Sequence, residues 1–264
     1  MTSWEEAGVP TLRTGPIAGL IIQISLLGLL AVTVGIGATG WAAGLAYGLG
    51  LCGLLQRGMR RAGRDMLGPA DRVTLARATL VGCVTALVAS SGAPVAPLVA
   101  IATAALILDA VDGYVARRTG SATPLGARFD MEVDAFLILV LSVHVAGTLG
   151  AWVLTIGLMR YAYVVAGWLL PWLRRPTPPR YWAKVVAAIQ GIVLTAAASG
   201  LFPRWVCVAA VAGALALLVE SFGRDVVWLT RHPLPAPRTS APTLPRVDHE
   251  PTVPVGGASH PERP

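Results

Sequence analysis

Apolar residues run along this chain in long unbroken blocks, without the two-residue alternation of a half-buried strand. Blocks of about 18 or more residues match the roughly 30 Å hydrocarbon core of a bilayer. The pattern predicts eight transmembrane helices, at 16–36, 38–56, 72–91, 94–118, 130–148, 150–172, 182–200 and 204–229. The first block is too long for a signal-peptide core and another follows at once, so it is expected to stay as an anchor. The expected fold class is all-α, a polytopic helix bundle in a lipid bilayer. From His232 onward the pattern ends: nine prolines and almost no large apolar residue predict a disordered tail over 232–264.

Composition agrees. The chain is 55% hydrophobic and 13% charged, where a soluble domain carries about a quarter charged residues. The net charge of +7 raises nucleic acid as a partner, but the basic residues form no stripe and match no reading motif. They sit in the connections instead. Arg57, Arg60, Arg61, Arg64 and Arg72 follow the second block, and Arg117, Arg118 and Arg128 the fourth. Arg174, Arg175, Arg180 and Lys184 follow the sixth, and Arg231 the last. With eight helices all of these fall on one side, which the positive-inside rule makes the cytoplasm. The opposite turns hold only Arg204, and Trp41, Trp152 and Trp205 lie at that outer interface. A multi-pass protein of the cytoplasmic membrane is expected, with both termini inside.

Two features carry little chemistry. Cys52, Cys83 and Cys207 lie singly in apolar blocks and read as small buried hydrophobes. Gly48, Gly50 and Gly53 match a dinucleotide fingerprint, which has meaning only between a strand and a helix. Gly40, Gly44 and Gly48 recur every fourth residue, a spacing that lets membrane helices approach closely, within one chain or between two.

The chemistry gathers around the fourth connection. Asp109 and Asp112 end one apolar block, and Asp130 and Asp134 begin the next. Residues three and four apart share a helix face, so each pair points one way. The short link makes the helices antiparallel neighbours and lets four carboxylates converge near one interface. Unneutralised, they would repel one another and be costly to desolvate. Mg²⁺ or Mn²⁺, as two ions, removes both objections, since an all-oxygen set suits these metals and phosphate substrates complete their shells. Gly113 and Ala116 leave room for a ligand, and Arg117 places a guanidinium beside it. The plain alternative is an acidic helix end paired with Arg117, Arg118 and Arg128.

Asp109-x2-Asp112-Gly113-x2-Ala116-Arg117-x8-Gly126-x3-Asp130-x3-Asp134 resembles the full signature of the CDP-alcohol phosphotransferases. The resemblance implies a six-helix core over about 66–231, preceded by a two-helix extension at 1–65, and a homodimer. It implies transfer of a phosphoalcohol unit from a CDP-alcohol such as CDP-diacylglycerol to an acceptor hydroxyl, with CMP leaving. Asp109, Asp112 and Asp130 would ligate metal, and Asp134 would be both ligand and catalytic base. Gly113, Ala116, Arg117, Thr123 and Gly126 would meet the donor. Pro69-Ala70-Asp71-x2-Thr74-x2-Arg77 is similar to the family's Pro-Asn-x2-Thr-x2-Arg stretch, with Asp71 for Asn and Ala70 extra. Asp71, Thr74 and Arg77 would then touch the donor; a capped helix start is the other reading.

On the acceptor side stand Arg160, Lys184 and Gln190. Arg160 lies deep in an apolar block, and Lys184-x5-Gln190 resembles a stretch in glycerophosphate-using relatives, with Val186 where they have a second lysine. Lys184 also fits as an interface anchor. His144 and Glu220 are expected in packing or polar pairs. The cations beyond those the donor needs point to a phosphorylated acceptor, glycerol 3-phosphate or an inositol phosphate. A neutral alcohol acceptor, a non-catalytic relative and an ion or proton transporter are the alternatives.

Overall fold

The computed structural model describes residues 14–63, 66–119, 123–175 and 181–231, apart from the side chains of Thr14, Asp112, Ala116, Arg117, Thr119, Pro171, Arg174 and Tyr181. The tail from His232 lies outside them. Among the described residues there are eight α-helices and no strand. They are α1 (Thr14–Thr33), α2 (Ala38–Arg61), α3 (Pro69–Ala89), α4 (Val95–Thr119), α5 (Pro124–Leu149), α6 (Leu154–Leu169), α7 (Tyr181–Ala198) and α8 (Arg204–Arg231). Seven are long and apolar enough to cross a membrane, and α7 offers a shorter apolar stretch, Trp182–Ala198. The chain is a polytopic membrane helix bundle.

Helix ends follow local chemistry. α3 starts with Pro69 in its first turn, where a missing N–H costs nothing, and Asp71 accepts from the Gly68 N–H at 3.1 Å. α5 starts at Pro124 rather than at 130, because Thr123 caps it by accepting from the Gly126 N–H at 3.0 Å. α2 runs on to Arg61, beyond its apolar stretch. α6 is shorter than expected, flanked by 3-10 turns at Ala151–Val153 and Pro171–Arg174.

α3 is the hub, packed by α1, α2, α4 and α5, while α7 joins α4, α5 and α8. Of its span 61% is buried, against 17% in α8 and 44% in α5. The glycine ladder explains the close fit of α2. A Cβ on Gly40 would lie 2.6 Å from the Ala86 carbonyl oxygen, and one on Gly44 2.8 Å from Leu27. One on Gly48 would lie 3.2 Å from Leu20 and Gln23. The ladder therefore faces α1 and α3 of the same chain. Thr39 adds a hydrogen bond to the Ala89 carbonyl at 2.7 Å. At the other end of α2, Leu55 and Met59 pack with Leu67, Leu125 and Phe129, bracing the first turns of α5.

Candidate metal and donor site

Three helices meet where the sequence concentrates acids. α4 brings Asp109, and successive turns of α5 bring Asp130 and Asp134. One carboxylate oxygen from each lies within 4.8 Å of the others. Between them sits Arg77 of α3, wholly buried: Nη1 donates to Asp109 and Asp134, and Nη2 to Asp130. The aspartate side chains are 33–36% exposed. A buried cation thus stands behind three partly exposed carboxylates. Among the described residues, three carboxylates face one guanidinium here, an acidic set that a divalent cation could join.

Arg77 is expected at the donor by resemblance; the structure engages both its terminal nitrogens with the aspartates. A guanidinium this deep must be paired, and these carboxylates are its partners. They do not pair with Arg118, which donates to the Tyr114 hydroxyl at 2.6 Å and lies over its ring. Arg128 is exposed. Asp112 falls one turn after Asp109 on α4; its side chain, with those of Ala116 and Arg117, lies outside the described set. Gly113 is half-buried on the same helix.

A second cluster gathers expected donor residues. Asp71 is buried at the start of α3, and a Cβ on Gly126 would lie 2.2 Å from its Oδ1 and 3.1 Å from Thr123 Oγ1. Gly126 is what allows α5 to approach Asp71, so the room it leaves is filled by a carboxylate. Thr74 is buried and donates to the Ala70 carbonyl at 3.2 Å.

The acceptor candidates do not form one group. Arg160 of α6 donates to Glu132 at 2.5 Å, with its Nε buried and unbonded. Lys184 is exposed. Gln190 is fully buried and donates to the Ala214 carbonyl at 2.7 Å, joining α7 to α8. Glu220, as expected, is a polar-pair residue: it accepts from Trp182 Nε1 at 3.0 Å and pairs with Arg224. Glu132 is the residue that sequence reasoning passed over, although it lies between Asp130 and Asp134.

Comparison with known proteins gives one family. The family model for CDP-alcohol phosphatidyltransferase matches residues 68–219, more than half of the chain. Comparison with curated proteins and with solved structures gave no match. The match opens at the cap of α3 and closes within α8. It takes in Arg77 and every aspartate of the site and leaves α1 and α2 outside. On this match, the chain belongs to the CDP-alcohol phosphatidyltransferase family.

Proposed function

We propose that this chain transfers a phosphatidyl group from CDP-diacylglycerol to the hydroxyl of a small phosphorylated alcohol, releasing CMP. The coarser statement is the family's: a phosphatidyl group passes from a CDP-alcohol to an acceptor in phospholipid biosynthesis, at a membrane. The observation that carries the reading is the convergence of Asp109, Asp130 and Asp134 within 4.8 Å. Three carboxylate oxygens at that spacing fit Mg²⁺ or Mn²⁺. Asp112, one helical turn after Asp109 in the sequence, is the candidate fourth ligand. Metal bound there would supply charge neutralisation to the donor phosphates.

The chain's own residues do the rest. Asp134 takes the proton from the acceptor hydroxyl as its oxygen attacks the β-phosphorus, and CMP departs. Arg117 pairs with the pyrophosphate, beside Gly113 and Ala116, which give it room. Asp71, Thr74, Thr123 and Gly126 bound the nucleotide end, and the close approach of Gly126 to Asp71 and Thr123 supports a shared role for those three. Manganese-dependent CMP release from CDP-diacylglycerol by the purified protein is the test; no release would make this a non-catalytic relative. Membership of a transferase family leaves no support for the transporter alternative. A homodimer, if formed, uses a face other than the Gly40–Gly44–Gly48 ladder.

The site faces the cytoplasm in this reading, supported by the basic connections on its side of the bundle. Cysteines introduced at Ser91 and Ser199 then react with an impermeant reagent from outside intact cells, and one at Ser121 does not. The reverse pattern places the site on the other side.

Arg160 is the acceptor's phosphate partner in this reading. Its support is position: it is anchored to Glu132, which lies between two site aspartates, and keeps a buried, unbonded Nε. The ion pair with Glu132 also favours a second reading, a neutral alcohol, because it already compensates the guanidinium. Arg160→Ala decides between them. For a phosphorylated acceptor the Michaelis constant rises about tenfold or more, the worth of a charge-assisted hydrogen bond. The comparison is glycerol 3-phosphate and inositol phosphate against glycerol, inositol and serine. An unchanged constant, or a neutral alcohol as best substrate, selects the second reading.

A further inference from the structure

We propose that the outward face of α2 binds an anionic glycerophospholipid, with its phosphate on Arg57, Arg60 and Arg61 and an acyl chain along Gly50, Gly53 and Leu54. The helix has two unlike faces. Gly44, Gly48, Leu55 and Met59 are buried against the rest of the bundle. Gly50, Gly53, Leu54, Arg57, Arg60 and Arg61 are all exposed. Spacings of three and four residues place these six on one stripe of the helix, away from the buried one. A Cβ on Gly50 or Gly53 would meet nothing within 4 Å, so neither glycine serves a contact within the described chain. Each leaves a shallow dip in the stripe beside Leu54.

Length sets the depth of the charges. α2 runs for 24 residues, about 36 Å at 1.5 Å per residue, whereas the hydrocarbon core spans roughly 30 Å. Its last turn, with Arg60 and Arg61, therefore stands at the level of the lipid phosphates, and Arg57 reaches the same level along its own stem. Arg57 precedes the other two by three and four residues, a spacing of about 6 Å between Cβ atoms, close enough for all three to share one phosphodiester. None of the three is ion-paired among the described residues, so the phosphate meets no competing carboxylate there. The positive-inside rule asks for charge at this end of α2 but not for its confinement to one face. A second copy of the chain fits the face less well. Both copies sit at the same depth, so a two-fold contact here sets arginine against arginine. The inner side of the same turns holds α5: a Cβ on Gly58 would fall 2.7 Å from Leu125, and Leu55 and Met59 pack with Leu125 and Phe129. A lipid held on the outside steadies the segment that braces the start of α5.

The experiment uses the full chain purified in a non-ionic detergent. Bound lipid is counted by native mass spectrometry as phosphatidylglycerol, or phosphatidylcholine with the same chains, is titrated in. The parent is expected to hold phosphatidylglycerol about tenfold or more tightly than phosphatidylcholine. Arg57→Gln/Arg60→Gln/Arg61→Gln is expected to lose most of that preference, because each arginine at an anionic lipid contributes about fivefold. Its lipid-free melting temperature should stay within about 2 °C of the parent, since exposed substitutions cost little. Lysine at the same three positions is expected to keep the preference within about threefold. Arg57→Gln alone, expected to lose about fivefold, carries the test if the triple variant does not insert. Arg204→Gln/Arg231→Gln, which removes charge from both ends of α8, is expected to match the parent. The proposal is overturned if the parent does not distinguish the two lipids, or if the α8 control loses as much as the α2 variant. It is overturned too if glycerophosphoglycerol, the head group without chains, competes as well as the lipid. A triple glutamine variant that keeps the lipid preference but falls from dimer to monomer assigns the face to a second copy instead.

Discussion

Asp134→Asn lowers CMP release by about a thousandfold, while the protein still inserts and still melts near the parent temperature. A positioned general base contributes about 10²–10⁴-fold to such a reaction, and here the same carboxylate also belongs to the aspartate cluster. The amide keeps the shape, and its oxygen can still accept from Arg77 Nη1, the bond Asp134 now receives. It cannot take a proton. With the side chain one-third exposed, the lost charge costs little in stability. The measurements are CMP release with Mn²⁺ and CDP-diacylglycerol, and thermal melting of the same preparation. Activity within tenfold of the parent removes Asp134 as the base.

Arg77→Met acts on stability first. Methionine fills much of the same volume, but three carboxylates lose their common counter-charge. Removing one partner of a buried ion pair costs about 3–5 kcal/mol. Partial exposure of the aspartates reduces this to about 2–3 kcal/mol, since water screens what remains. In EDTA the variant should melt about 5–10 °C below the parent. Added Mg²⁺ or Mn²⁺ should recover more of that loss in the variant than it adds to the parent, because the cation no longer competes with a guanidinium. A deficit that neither metal reduces shows that the carboxylates are not a cation site.

Arg77 also marks where the sequence stopped being informative. Asp109, Asp130 and Asp134 could be brought together on paper because helix periodicity acts over a few residues and one short connection joins the two pairs. Arg77 lies 32, 53 and 57 residues from its three partners. No local spacing relates them, so the resemblance alone assigned it, to the donor. The Arg160–Glu132 pair was hidden for the same reason. Glu132 points toward α6, off the face of its neighbours Asp130 and Asp134, and only the packing of α6 on α5 gives it a partner. Helix ends show a smaller version of the same limit. Hydropathy detects where side chains enter lipid, whereas Pro69, Thr123 and Pro124 fix where the backbone begins to coil. The glycine ladder was visible at once, but whether it faced a second copy or this chain's α1 and α3 depended on the bulk of Leu20, Leu27 and Ala86 opposite it.

The enclosure of α3 bears on what this chain can tolerate by way of mutation. Most membrane helices keep a lipid-facing stripe on which one apolar residue replaces another with little penalty. α3 has very little of one: Ala78, Val81, Gly82, Cys83, Val84, Ala86 and Leu87 are all buried among other helices. Its substitution pattern should follow that of a soluble protein's interior, where volume is limiting and greasiness is not. Gly82 is the mildest case: a methyl there would fall 2.0 Å from the Gln23 amide nitrogen, so the end of that buried side chain must swing aside. A hydropathy scale would score Gly82→Ala, Ala78→Leu and Val81→Phe as improvements to a membrane helix. In this bundle each is an intrusion, and α3 is the helix on which hydropathy is the poorest guide to fitness.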